Sequence, residues 1–207
     1  PWQCGNEGNP NLFNACANPY SLGVPDNHRG FQEARTGIGY AGLACKWDNV
    51  PHTEYLMIEL AQPLEAGVLY NISFYLNLAN DFCGLKHFGA YFSVDNPYVH
   101  HSDYIPVIPQ VETNMGYLNE TVDWMGVAGC FLAQGGERWV TLGNFRANEN
   151  IQLDPDCGES ESTFYYVEDV CRVVAPPLED LIVDLPSSVQ ACCSYEGDPM
   201  QPGPVFY

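Results

Sequence analysis

With 26 acidic residues against 7 basic ones in 207, the chain carries a formal net charge of −19. That balance excludes nucleic acid and anionic membrane surfaces as partners, since both are held through Lys and Arg, while divalent cations and neutral ligands such as sugars stay compatible with it. An apolar share of 46% is enough for a packed core and rules against wholesale disorder.

Cysteine usage sets the compartment. Cys4, Cys16, Cys45, Cys83, Cys130, Cys157, Cys171, Cys192 and Cys193 are many for a reduced cytosol. No Cys-x-x-Cys pair occurs, so zinc-ribbon and thioredoxin chemistry lack their motif. Scattered spacing points to disulfides in an oxidising environment, the odd cysteine leaving an unpaired thiol or a bridge between chains. The start at Pro1-Trp2-Gln3-Cys4, without initiator Met or apolar leader, reads as a mature secreted protein. No run approaches the ~18 apolar residues of a transmembrane helix, so direct membrane insertion is not expected.

In chain order, Pro1 to Gln32 is rich in Asn, Gly and Pro and reads as loop with one short strand, anchored by Cys4 and Cys16. Gly37 to Trp47 is a strand whose glycines suggest a bulge or a close backbone approach. Glu54 to Leu60 is the next. From Val68 to Leu78 the alternation is cleanest: Val68, Tyr70, Ile72, Phe74, Leu76 and Leu78 share one face, Asn71, Ser73, Tyr75 and Asn77 the other. That strand is expected to be central in a sheet. Gly84 to Val94 follows, and Pro97 to Gln110 is loop or edge. Trp124 to Leu132 and Trp139 to Phe145 flank Gly135-Gly136 and read as the arms of one hairpin, with Glu137 and Arg138 an exposed turn pair worth under ~1 kcal/mol.

Asn148 to Ser162 is an acidic loop holding Cys157, and Thr163 to Val174 is a long β-prone strand. Pro176-Pro177 marks a boundary between a domain of residues 1–175 and a tail of residues 176–207. The tail contains one candidate strand, Leu181 to Leu185, and the vicinal Cys192-Cys193. No helical period and no internal repeat appears. Roughly seven or eight evenly spaced strands imply an all-β fold, a β-sandwich or jelly roll with a largely irregular C-terminal tail.

Catalytic chemistry finds little footing. There is no Gly-x-Ser-x-Gly elbow and no Ser or Cys with a neighbouring His as base. Paired carboxylates for glycoside hydrolysis are too numerous to be informative. The histidines lack His-x-x-x-His spacing, and His100-His101 reads as an exposed loop pair rather than a zinc site. Asp26, Glu33, Glu168 and Asp169 are hard oxygen donors of the type calcium takes, without an EF-hand loop. Alternation sends Glu168 and Asp169 to opposite faces, so one is expected inward, where it needs a cation or backbone donors; the pattern equally fits an outward-facing pair on an edge strand. Trp47, Tyr75, Tyr91 and Trp139 are the candidates for a ligand-facing surface, because a flat ring can meet the apolar face of a sugar.

Several stretches together resemble a known family. They are Gly30-Phe31-Gln32-Glu33-Ala34, Gly39-Tyr40-Ala41-Gly42, Glu54-Tyr55-Leu56, Pro63-Leu64-Glu65-Ala66-Gly67 and, most specific, Gly135-Gly136-Glu137-Arg138-Trp139 through Gly143-Asn144-Phe145. With Tyr165-Tyr166-Val167-Glu168-Asp169-Val170 they resemble a recurrent domain of Bacteroidota surface proteins, over about Leu12 to Val174. The resemblance implies a galactose-binding-like jelly roll akin to carbohydrate-binding modules, in an exported protein. It also implies a structural calcium, for which Asp169 is the first candidate ligand by position, Glu33 the second and Asn14 the third. The cysteine density is higher than the family implies.

The function expected from these readings is a non-catalytic, secreted or cell-surface module that binds glycan or a cell-surface protein partner and is stabilised by calcium and disulfides. The alternatives are a structural subunit of an extracellular or outer-membrane assembly, joined through the tail beyond Pro176, and a polysaccharide hydrolase.

Overall fold

The computed structural model describes residues 2–48, 50–158 and 161–174. The tail of residues 176–207, with its candidate strand and Cys192-Cys193, lies outside the described residues.

The described residues form twelve strands: β1 (Gln3–Cys4), β2 (Asn11–Asn14), β3 (Asp26–Asn27), β4 (Gly30–Phe31), β5 (Gly39–Lys46), β6 (Leu56–Glu59), β7 (Leu69–Leu78), β8 (Gly89–Ser93), β9 (Val111–Glu112), β10 (Met125–Leu132), β11 (Trp139–Gly143) and β12 (Thr163–Val174). A single turn of 3-10 helix covers Asn148–Asn150. The long strands build two five-stranded sheets, ordered β1-β6-β11-β8-β9 and β10-β7-β12-β5-β2, and β3 pairs with β4 in a separate ribbon. Every pairing is antiparallel. From β5 to β8 the chain changes sheet at each step, and it does so again from β9 to β12. This is a β-sandwich with jelly-roll winding, the class expected from the strand spacing.

Alternation explains the core. Tyr70, Ile72, Phe74, Leu76 and Leu78 of β7 are buried between the sheets, where they meet Phe88, Phe92, Val140, Leu142, Tyr165 and Val167. Five such side chains at ~1.5–3 kcal/mol each supply on the order of 10 kcal/mol before entropy is subtracted. β12 takes the middle position of its sheet and β7 lies beside it, paired on both edges. The glycine-rich look of β5 also has a cause. A Cβ at Gly42 would stand 2.6 Å from the Phe13 ring and 2.7 Å from the Phe164 ring, so only hydrogen fits beneath the two aromatics.

One prediction is corrected. The segments on either side of Gly135-Gly136 are not hairpin partners: β10 pairs with β7, while β11 lies in the other sheet between β6 and β8. Both segments alternate toward the same core, Val127 and Phe131 from one side and Val140 and Leu142 from the other. Their pattern therefore fits an arch over the edge of the sandwich as well as a ribbon. Residues 133–138 make that arch, with Gly135 and Gly136 at φ +99° and +90°, values that glycine adopts without strain.

Glu137 is likewise not an exposed turn residue. It is 5% exposed, and its carboxylate accepts the backbone N–H of Gln134 at 2.7 Å and of Gly135 at 2.8 Å. Arg138 stays at the surface, its Nε 3.6 Å from Glu59 Oε1.

The outer face of the second sheet is covered by the loop between β2 and β5. Phe13, Tyr40, Phe164 and Tyr166 form a second apolar cluster there, against which Leu22, Val24 and Ala34 pack. The Tyr166 hydroxyl donates to Asn27 Oδ1 at 2.9 Å, Asn27 donates to the Tyr40 hydroxyl at 3.2 Å, and that hydroxyl donates to the Gln32 carbonyl at 2.9 Å. These bonds moor the loop to the sheet. Cys83 and Cys157 form a disulfide. Cys4 and Cys16, expected to anchor the N-terminal stretch, are exposed and form no disulfide among the described residues, where the tyrosines do the mooring. Cys45 is buried, and burial pushes its thiol far above the usual range.

Candidate functional site

Under one end of the moored loop the second sheet leaves a cleft of about 440 Å³, lined by Asn11, His28, Arg29, Trp47, His52 and Glu54 among others. Sequence proximity builds little of it. His28 and Arg29 sit at the β3–β4 turn, Asn11 opens β2, and Trp47 closes β5 by an isolated bridge to Val50.

Two charged groups shape the cleft. Glu54 is 5% exposed and is spent on the scaffold. Its Oε2 accepts Ala44 N–H at 2.8 Å, and its Oε1 accepts Asn9 N–H at 3.2 Å and faces His52 Nε2 at 3.3 Å. Arg29 is different. Its guanidinium lies 5.0 Å from the ring centroids of Trp47 and Phe164 and 5.6 Å from that of Phe82. Its Nε is buried with no hydrogen-bond partner among the described residues. Burial lowers its pKa, against the opposing fields of Glu54 and Tyr166.

The four predicted aromatics fall in separate places. Trp47 lines the cleft. Tyr75 lies on the outer face of the second sheet, where the Arg35 guanidinium covers its ring at 3.5 Å. Tyr91 belongs to the other sheet and packs 6.0 Å from Phe145 in a small satellite core. Trp139 is buried in β11, in register between Glu59 and Ser93. They do not form one aromatic platform.

The acidic pair of β12 departs from simple alternation. Between Glu168 and Cys171 the register with β7 shifts in a bulge, and Asp169 adopts φ +50°. As a result both carboxylates turn to one partner: Glu168 Oε1 and Asp169 Oδ1 accept the Thr36 hydroxyl at 3.1 and 2.6 Å. Neither enters the core between the sheets, contrary to the inward placement expected for one of them. Glu168 also accepts the backbone N–H of Arg35 at 2.7 Å and of Thr36 at 2.6 Å. Burial pushes its carboxyl up, these N–H donors and the Thr36 hydroxyl pull it down, and neighbouring Asp169 adds to the rise. The Arg35 guanidinium pairs directly with Asp169.

In this arrangement Asp169 and Asn14, two of the three residues that the resemblance assigns to calcium, have side-chain partners within the chain. The Asp169 carboxylate already holds a cation of the chain, the Asn14 amide oxygen accepts Cys16 N–H at 2.8 Å, and Glu33 is exposed with its carbonyl taken by Trp124 Nε1 at 3.1 Å. Among the described residues no three His, Cys, Asp or Glu side chains gather closely enough to hold a metal ion.

Sequence reasoning passed over Arg29, Arg35 and Glu54. One signal was available for the arginines: with acids outnumbering bases nearly fourfold, each basic residue outside a charged run invites the question of what it faces.

No family model matches the chain, and none of the curated proteins matches it either. Among solved structures, the K1 cleaved adhesin domain of Lys-gingipain from Porphyromonas gingivalis W83 is 11% identical, covering 84% of this chain and 90% of its own, with a TM-score of 0.43. The CBM22-1–GH10 modules of Clostridium thermocellum xylanase 10B, complexed with xylohexaose, are 11% identical over 85% of this chain, with a TM-score of 0.44; the match spans 26% of that chain. A family 16 carbohydrate-binding module is 15% identical, covering 72% of this chain and 82% of its own, with a TM-score of 0.35. The chain is thus similar, at low identity, to adhesin and carbohydrate-binding domains.

Proposed function

We propose that this chain is a non-catalytic β-sandwich module, displayed outside the cell, that binds glycan in the Trp47 cleft. The observation that carries the reading is the cleft itself. It combines an indole, two imidazoles, two asparagines and a guanidinium, a mixture suited to sugar hydroxyls and apolar sugar faces. Hydrolysis is disfavoured by the same geometry: Glu54 is the one acidic residue among the described lining residues, and backbone donors occupy its oxygens, whereas glycoside cleavage takes two opposed carboxyl groups. Trp47→Ala is expected to weaken binding to any glycan that the wild type retains, by about tenfold or more, in calorimetry or on a glycan array. Retention unchanged in that variant, or no glycan retained by the wild type, would refute the assignment.

We further infer that Arg35 supplies at Asp169 the positive charge that the family resemblance assigns to calcium. Arg35→Met should then lower the unfolding free energy by roughly 1–2 kcal/mol, since it leaves a partly buried carboxylate without its partner. Chelation of the wild type should leave its melting temperature unchanged. A fall on chelation would restore the calcium reading.

A further inference from the structure

Arg35, Lys46, Arg138 and Arg146 each meet a carboxylate of the chain, Asp169, Glu161, Glu59 and Glu112 respectively. Arg29, like Lys86 and Arg172, pairs with none among the described residues, and of these three it alone lines the cleft. The guanidinium is partly buried: three aromatic rings lie around it, and the Nε hydrogen has no acceptor among the described residues. A buried, unsatisfied donor on a cation is costly, and the part of the guanidinium that stays accessible lines the cleft, where a ligand can meet it. Glu54 contributes field to Arg29 but no contact, because its oxygens are taken by Ala44, Asn9 and His52.

We propose that the Trp47 cleft selects acidic sugars, with Arg29 pairing the carboxylate of a uronic-acid residue. The proposal rests on the reading of the cleft as a glycan site and names the class of sugar it takes. A planar guanidinium matches a carboxylate in two parallel hydrogen bonds, and such a charge-assisted pair is stronger than neutral hydrogen bonds to hydroxyls. His28, His52 and Asn11 line the same cleft and offer partners for the hydroxyls around that ring. The net charge of −19 sets the limit on charge density. A ligand packed with anions is repelled by the surrounding field, so the fitting ligand carries isolated carboxylates along an otherwise neutral chain. An acidic peptide shares the carboxylate but not the ring faces and hydroxyls for which the other lining groups are suited.

The test is isothermal calorimetry with the full chain against uronate-containing oligosaccharides and their carboxyl-reduced counterparts, with an Asp-rich peptide as a third titrant. The wild type should bind the acid form about tenfold or more tightly than the reduced form. Arg29→Met should bind both forms alike, Arg29→Lys should keep part of the preference, and Trp47→Ala should lose both forms. The Lys variant keeps the charge against the rings, so the proposal stays falsifiable if the Met variant fails to fold. Equal binding of acid and reduced forms by the wild type would overturn the acidic-sugar assignment and leave the glycan cleft standing. Binding of neither form would overturn both. Tighter binding of the peptide than of either sugar would overturn the proposal in favour of a protein ligand.

Discussion

Replacing Cys83 and Cys157 by serine is expected to lower the unfolding free energy by about 4 kcal/mol. The two residues are 74 positions apart, and closing a loop of that length removes about this much entropy from the unfolded chain at room temperature. What lies inside the loop gives the bond its leverage. β8, β9, β10 and β11 all fall between the two cysteines, so the bridge ties four strands from both sheets to the end of β7. Thermal melts should shift down by roughly 8–16 °C, at the ~2–4 °C per kcal/mol typical of a domain this size. Denaturant titration of wild type and double variant measures the effect directly. A change below about 1 kcal/mol would mean that the unfolded chain is already compact in this region.

The second large effect is expected at Glu137. Glu137→Ala leaves the N–H groups of Gln134 and Gly135 without their acceptor in a buried turn, and it should cost about 3 kcal/mol, two charge-assisted bonds at ~1.5–3 kcal/mol each less what water recovers. Glu137→Gln should fall between, because an amide offers one acceptor oxygen and turns an NH2 donor toward the second N–H. The same substitutions are expected to leave ligand binding intact, since Glu137 caps the arch from β10 to β11 and does not line the Trp47 cleft. Urea titration separates the three proteins. Equal stability of all three would show that the carboxylate is dispensable to the arch.

These two residues also show where the sequence was legible. The alternation of β7 and the β-branched and aromatic run of β12 gave both strands almost to their ends, because a period of two is a direct image of a sheet face. Alternation does not say which strand lies alongside. β10 and β11 carry the same pattern whether they pair or face each other across the core, and the arch was therefore mistaken for a ribbon. The carboxylates followed a similar course. That one of the two carboxylates in this apolar strand would need backbone donors or a cation was legible, but not which one. The bulge that turns Asp169 to the same side was not, because φ at one residue leaves no trace in composition. Of the residues lining the cleft, Trp47 was a candidate by its type. Arg29, which stacks on it, comes from a segment that reads only as loop.

The middle position of β12 has a consequence for biosynthesis. β5 and β7 leave the ribosome well before Thr163, yet the strand that joins them is Thr163–Val174. Until it emerges, the nascent chain holds two strands with open inner edges and no means of bringing them into register. Such edges invite pairing with other chains during synthesis. A stall or proteolytic cut just before Thr163 would therefore yield a polypeptide with every strand of the first sheet and the second sheet split into the pairs β10-β7 and β5-β2. Quality control of this protein would hinge on whether its last described strand has arrived.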